Sequence, residues 1–172
     1  MSSWGLFLSP SGGGTAGAAW PFGPGDGLSP ENPLHELNAW LGFARACAHS
    51  ARVQMILATV QADLGRAMAE IAARARGDAE VPTLAAERVS WLAAAREALR
   101  TEGPGRLREG PPGDTVSGAI LDIAWTVAER VRRDGAGRAE GTGSAIGAYL
   151  ADLPELIFVL ARYEEAMADP SP

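Results

Sequence analysis

Apolar residues recur at a spacing of three and four along five stretches of the chain, and this helical period constrains the fold more than any other feature. An amphipathic helix repeats its apolar residues about every 3.6 positions, whereas a half-buried strand alternates at every second position. Sustained alternation of the strand type is absent from the sequence. The pattern therefore predicts an all-α fold, a bundle of five helices.

The apolar stripes also predict the core. Asn32 and Pro33 suit the N-cap and the first position of the first helix. The third helix is expected from Thr83 to Arg100. Residues 101–113 are rich in Gly and Pro and should form a long loop. The predicted core residues, helix by helix, are Leu34, Leu37, Leu41, Ala44 and Ala48; Val53, Ile56, Val60, Leu64, Ala67 and Ile71; Val89, Leu92, Ala95 and Leu99; Val116, Ile120, Ile123, Val127 and Val131; and Ile146, Tyr149, Leu150, Leu153, Ile157 and Leu160.

The fifth helix is unusual in two respects. Pro154 falls inside its pattern, where it removes the hydrogen bond to the Leu150 carbonyl and should kink the helix. Phe158 and Val159 leave the helix apolar on more than one face. A helix of this kind is expected either at the centre of the bundle or under another subunit.

The chain divides into a Gly/Ser/Pro-rich N-terminal segment, residues 1–28, and a helical domain, residues 29–172. The segment shows no sustained period and is expected to be loop. Its aromatic residues are uncommon in a disordered tail, so we expect part of it to dock on the helical domain; they are Trp4, Phe7, Trp20 and Phe22.

Charge and composition exclude several classes of partner. The formal net charge is −6, every cation is an arginine, and no concentrated basic surface is evident, which argues against nucleic-acid or anionic-membrane binding. No apolar run approaches the roughly 20 residues of a membrane span, so a cytoplasmic protein is expected. The single cysteine, Cys47, excludes an internal disulfide and a cysteine-rich zinc site, and we expect no metal.

Motifs on four of the predicted helices point to one family. In order they are ELN-x-x-LG at residues 36–42, TVQADLGRAMAEIA at 59–72, a PPGD loop followed by AWTVAERVRR at 124–133, and YLADLPELIFVLAR at 149–162. The series resembles the PduO-type ATP:cob(I)alamin adenosyltransferases, whose helices carry DELN-x-x-LG, IQ-x-x-LF-x-LG-x-x-LA, LPGGS…ARTVCRRAER and YLNRLSDLLFVLAR. The resemblance implies a five-helix bundle assembled as a homotrimer, with ATP and the corrinoid bound between subunits.

The family's functional positions, however, have changed residue type. The best match to its triphosphate loop, residues 11–15, lacks the aspartate, and no lysine follows. His35 replaces the acid of DELN, Glu109 replaces the phenylalanine before the PGG turn, and Asp114 occupies the last position of that turn. On the fourth helix, Trp125 and Glu129 replace the two arginines of ARTVCR. On the fifth helix, Ala151 and Glu155 replace the asparagine and the aspartate of YLNRLSD. Since ATP brings about four negative charges that need cations or N–H donors, we predict that the chain does not bind ATP and uses no cofactor.

The exchanged residues predict a candidate site of a different kind. Asp122, Trp125 and Glu129 lie at i, i+3 and i+7 and share one face of the fourth helix. His35 and Asn38 share a face of the first helix, and the family geometry implies that His35 sits opposite Trp125. Such a face is often merely solvated or an oligomer contact.

As a catalytic site, this face would use His35 as base and Glu129 as acid, with Asp122 orienting them. A small-molecule substrate would contact the remaining candidate residues, which are Asn38, Glu109, Asp114, Trp125, Ala151 and Glu155. The first hypothesis is therefore a cofactor-independent cyclase, isomerase or lyase of a specialised biosynthetic pathway. The alternatives are a non-catalytic protein that binds a corrinoid or another planar ligand, and an ATP:cob(I)alamin adenosyltransferase with a rearranged ATP site.

Overall fold

The computed structural model describes residues 33–103, 112–136 and 145–168, and every regular element in this part of the chain is an α-helix. The helices are α1 (Pro33–Cys47), α2 (Ala51–Arg76), α3 (Glu87–Glu102), α4 (Val116–Ala136) and α5 (Ile146–Ala168). α5 packs against α4 and α3, α4 also packs against α1, α1 packs against α2, and α2 touches α5 more lightly. The predicted all-α, five-helix fold is confirmed. Segment 1–28 lies outside the described residues.

α5 is the central helix, as its apolar residues on several faces predict. It lies between α3 and α4 and buries most of its circumference, including Leu153, Leu156 and Val159, while one narrow face stays exposed. Pro154 is buried inside this helix, which continues past it from Ile146 to Ala168. The kink at Pro154 stays a prediction.

Two residues assigned to the core of α4 are exposed instead. Val116 is 65% exposed and Ile123 is 42% exposed. The stripe that α4 buries keeps three of the predicted residues, Ile120, Val127 and Val131, and is completed on one side by Leu121, Ala124 and Ala128. Ile123 lies outside this stripe because α1 and α5 pack on the side of α4 that carries Leu121 and Ala128. The prediction for these two residues is wrong.

α3 begins later than predicted, at Glu87 rather than Thr83. The cause is a long-range hydrogen bond: the backbone N–H of Leu84 donates to Oε2 of the fully buried Glu70 on α2 at 2.7 Å. This bond holds Leu84 against α2, where its side chain is also buried. The connection between α2 and α3 therefore stays against α2 at Leu84, and α3 begins three residues later, at Glu87.

Glu164 of α5 connects this helix with α4 and with the start of α2 through hydrogen bonds. Its side chain is fully buried and accepts hydrogen bonds from the backbone N–H of His49 at 2.5 Å and of Ser50 at 3.3 Å, just before α2. It also accepts from the Ser117 hydroxyl of α4 at 3.0 Å. Because the first N–H groups of a helix have no intrahelical partner, a carboxylate at this position satisfies and stabilises the start of α2.

We predict that Glu164→Gln lowers the free energy of unfolding by about 1–3 kcal/mol, because the amide loses one acceptor oxygen and points an NH₂ group at buried donors. Chemical denaturation measures this difference. Glu97→Gln on the exposed side of α3 is the matched control, and it should change stability by less than about 0.5 kcal/mol. Equal stabilities of the two variants would contradict the assigned role of Glu164.

A second buried carboxylate, Asp63 of α2, joins α2, α3 and α5. Arg88 of α3 donates to both of its oxygens at 2.7–3.0 Å, Arg66 donates at 3.2 Å, and the Tyr149 hydroxyl of α5 donates at 3.1 Å. Burial, together with the charge and hydrogen bond of Asp63, raises the pKa of Tyr149 well above its ordinary value. The phenol therefore stays protonated and acts as a donor to Asp63.

No helix in the described ranges is both long enough and apolar enough to cross a membrane.

Candidate functional site

Asp122, predicted as a site residue, forms a nearly buried ion pair between α4 and α5. Arg162 of α5 donates to its Oδ2 at 2.5 Å, and a second nitrogen of Arg162 lies 3.2 Å from Oε2 of Glu165. The side chains of the three residues are only 12%, 4% and 9% exposed, respectively. Asp122 thus belongs to an α4–α5 contact and holds an arginine that the sequence pattern did not single out.

Glu165 sits in a strongly acidic environment. Burial raises the pKa of Glu165 above its ordinary value, and the negative charges of Asp122 and Asp114 raise it further. Arg162 and a hydrogen bond from the backbone of Gly113 act in the opposite direction and only partly offset these effects. The predicted site residue Asp114, itself exposed, therefore contributes to this cluster through its charge.

Trp125 forms an aromatic pair across the same two helices. Its ring centroid lies 6.0 Å from that of Phe158 on α5, with the ring planes tilted by 58°. The geometry is that of a favourable tilted aromatic contact. Trp125 is partly buried and Phe158 is 39% exposed, so the pair presents an apolar surface beside Asp122 and Arg162.

Glu129, the predicted acid, is engaged by its own helix. Arg132, one turn along α4, donates to its Oε2 at 2.8 and 3.1 Å, and Arg133 donates to its backbone carbonyl at 3.2 Å. In the ARTVCRRAER motif these two positions carry an arginine and a glutamate, so the pair has exchanged its charges. Glu129 thus serves as an acceptor, and its role as a proton donor stays a prediction.

The two α1 candidates differ in their surroundings. His35 is partly buried in the first turn of α1. Asn38 is only 8% exposed, and its backbone carbonyl accepts a hydrogen bond from the side chain of Gln61 on α2 at 3.2 Å. α1 reaches α4 through the neighbouring Glu36, which accepts from Arg130. The placement of His35 opposite Trp125 and its role as a base stay predictions.

The α5 candidates share a face with Phe158. Ala151 and Glu155 precede it by seven and three residues, and all three are exposed, as helical spacing requires. The Glu155 carboxylate accepts a hydrogen bond from the Arg96 guanidinium of α3. The structure therefore groups Trp125 with the α5 candidates along one side of the bundle, and Glu109 lies outside the described residues.

Sequence reasoning missed Arg162, Glu165 and Phe158 as site residues. The motif YLADLPELIFVLAR contains the first and last of these, and matches the family at both. The match of Phe158 and Arg162 to the family motif was the signal that could have identified them as site residues. In the described ranges, no group of three or more His, Cys, Asp or Glu side chains could hold a metal ion.

Comparison with known proteins adds the family context. The family model described as cobalamin adenosyltransferase matches residues 33–164. Two solved variants of the PduO-type ATP:corrinoid adenosyltransferase from Lactobacillus reuteri, each complexed with cobalamin and ATP, share the fold with a TM-score of 0.65. The first is 21% identical over 79% of this chain and 76% of its own, and the second is 20% identical over 79% and 78%. No curated protein sequence matches the chain.

These comparisons contradict the prediction that the protein uses no cofactor, because the solved structures with its fold hold both cobalamin and ATP. The prediction relied on exchanged surface charges. Exposed ion pairs such as Glu129 with Arg132 are worth only about 0–1 kcal/mol, so they do not decide what a surface can bind. The hypothesis of a cofactor-independent cyclase, isomerase or lyase has no support in the comparisons.

Proposed function

The chain belongs to the cobalamin adenosyltransferase family, and we propose on this premise that it is an ATP:corrinoid adenosyltransferase with a rearranged ATP site. The reaction joins the corrinoid to the adenosyl group of ATP. Cobalt(I) supplies both electrons of a new bond to C5′ of ATP, the C5′–O bond breaks, and its electron pair leaves with triphosphate. The corrinoid and ATP are both substrates.

The observation that carries the proposal is the half-exposed aromatic pair of Trp125 and Phe158 between α4 and α5. A corrin is large, planar and mostly apolar. Flat aromatic side chains bury much apolar area against such a ligand at little cost in conformational entropy.

The triphosphate would be bound by arginines near the C-terminal end of α4. Arg130 and Arg132 are 49% and 44% exposed, and their partners Glu36 and Glu129 are exposed enough for water to screen each pair. Breaking an exposed pair costs only about 0–1 kcal/mol, whereas a guanidinium forms strong bidentate hydrogen bonds with phosphate. A triphosphate can therefore displace the two glutamates, and Arg133 would add a third cation.

The proposal includes assembly as a trimer. Val116 and Ile123 lie on the side of α4 that faces away from the bundle, and both are large, apolar and exposed. A second copy of the chain packed there would remove them from water. The expected result in light scattering is three times the mass of the chain.

A non-catalytic corrinoid-binding protein is the second candidate. It is favoured by the ion pairs that Arg130, Arg132 and Arg162 form with carboxylates of the chain itself. In a protein that does not bind triphosphate, such pairs neutralise the arginines permanently. The two candidates agree on the corrinoid and differ on ATP.

Binding titrations separate the two candidates. We expect the absorbance spectrum of cobalamin to change on addition of the protein, and ATP to bind with an affinity that falls about tenfold or more in Arg132→Gln, because a charged hydrogen bond to phosphate contributes about 1.5–3 kcal/mol. Arg100→Gln, an exposed arginine of α3, is the matched control. Cobalamin binding without ATP binding would favour the second candidate, and the absence of both would contradict the proposal.

A further inference from the structure

Arg162 connects the buried acidic cluster with the aromatic pair. Its guanidinium carbon lies 5.6 Å from the centroid of the Phe158 ring, and Phe158 in turn contacts Trp125. The guanidinium is held on one side by Asp122 and on the other by Glu165. The position of Arg162 against the Phe158 ring therefore depends on two carboxylates, one from α4 and one from α5.

Glu165 can occupy this position because residue 118 is a glycine. A Cβ atom on Gly118 would lie 2.8 Å from Cγ and 2.9 Å from Oε1 of Glu165, and 2.7 Å from the Thr115 hydroxyl oxygen. All three distances are shorter than real Cβ contacts. Since Gly118 belongs to the first turn of α4, the carboxylate lies directly against the start of that helix.

The carboxylate of Glu165 is not fully satisfied in this position. The carboxylate pairs with Arg162 through Oε2 and receives a hydrogen bond from the backbone of Gly113, while Oε1 is buried and has no hydrogen-bond partner among the residues that the structure describes. A buried acceptor without a donor is costly when the group is charged. The fold thus keeps Glu165 at an unfavourable site, where its ionised form serves to hold Arg162.

The charged groups that face Glu165 come from three elements. They are Arg162 on α5, Asp122 on α4 and Asp114 in the turn before α4. Two carboxylates and one guanidinium surround the group, so protonation of Glu165 relieves repulsion. Together with burial, this repulsion raises the pKa of Glu165.

We propose that Glu165 is a positioning residue for the corrinoid surface: ionised, it holds Arg162 against the ring of Phe158, which packs on Trp125, and protonated, it releases one side of that guanidinium. The choice of ligand rests on the proposed function, whereas the link from Glu165 to Trp125 does not. Corrinoid affinity should therefore increase as the pH rises through the titration of Glu165.

The effect on stability has the opposite sign. A carboxyl group whose pKa is raised by folding binds its proton more tightly in the folded chain than in the unfolded chain. Its contribution to stability is present at low pH and is lost as the pH rises through the raised value. Glu165→Gln should therefore make the fold more stable than wild type at neutral pH, and this difference should shrink in acid, where Glu165 is protonated.

Fluorine NMR of protein labelled with fluorotryptophan tests the link without any ligand. The Trp125 resonance, identified by its loss in Trp125→Phe, should shift with pH in a single step that lies above the ordinary range of a glutamate. That step should be absent in Glu165→Gln and present in the control Glu97→Gln. A Trp125 resonance that titrates identically in all three proteins would overturn the inference.

Cobalamin affinity measured across the same pH range completes the test. We expect wild type to bind at least about fivefold more tightly above the step than below it, a typical coupling between two sites, and Glu165→Gln to show the weaker affinity throughout. If Trp125 titrates as expected but cobalamin does not bind at any pH, the proposed function fails and the link from Glu165 to Trp125 stands. Equal pH dependence of affinity in wild type and Glu165→Gln would contradict the positioning role.

Discussion

Asp63→Asn is expected to lower the free energy of unfolding by about 3 kcal/mol, the lower end of the range for removing one partner of a buried ion pair. Asp63 is fully buried, while Arg88 retains 23% exposure, which limits the penalty. The substitution keeps the size of the side chain but leaves the Arg88 charge without its carboxylate. The connection between α2, α3 and α5 should loosen, and urea denaturation measures the loss.

The partners of Asp63 supply graded controls. Arg66 is 62% exposed, so Arg66→Gln should cost less than about 1 kcal/mol. Tyr149→Phe removes one buried hydrogen bond and should cost about 1 kcal/mol. If Asp63→Asn were no more harmful than Arg66→Gln, the three-helix junction at Asp63 would not stabilise the fold in the way described.

Trp125→Ala is expected to weaken cobalamin binding by about 30-fold or more. Truncation of a large aromatic residue at the centre of a binding surface commonly costs at least about 2 kcal/mol, which corresponds to that factor at room temperature. The tilted contact with Phe158 would be lost at the same time. Isothermal titration with cobalamin measures the change.

Phe43→Ala is the matched control for this substitution. Phe43 is an aromatic residue of another helix, α1, that is 51% exposed and stacks on Trp40. Its removal should leave cobalamin affinity within about twofold of wild type, since scattered surface apolar residues carry little binding energy. Equal losses in the two variants would show that Trp125 is not a specific contact.

Local periodicity predicted the fold well because each helix buries one continuous stripe. The stripes of α1 and α5 are buried at every predicted position, from Leu34 to Ala48 and from Ile146 to Leu160. Periodicity failed where neighbouring helices decide: Ile123 fits a helical repeat, but α1 and α5 cover the other side of α4. Likewise, Leu84 has a helical sequence context and is held in the connection by Glu70.

The site was harder to predict because its contacts join residues far apart in the chain. Asp122 was recognised on its helix face, but its partner Arg162 lies 40 residues later. Glu165 depends on the absence of a side chain at Gly118, which no periodic pattern reveals. The loss of the family's arginines was read as the loss of its ligands, although an exposed pair such as Arg132 with Glu129 contributes only about 0–1 kcal/mol and is easily broken.

Adenosyl transfer itself is the most direct test of the account. The purified protein would be incubated without oxygen with ATP and cobalamin reduced to the cobalt(I) state, and both the spectrum and the released triphosphate would be followed. We predict conversion to adenosylcobalamin with one triphosphate released for each cobalt–carbon bond formed, at a rate lowered by Arg132→Gln and Trp125→Ala. An unchanged cobalt(I) spectrum and no triphosphate, from protein shown to be folded, would contradict it.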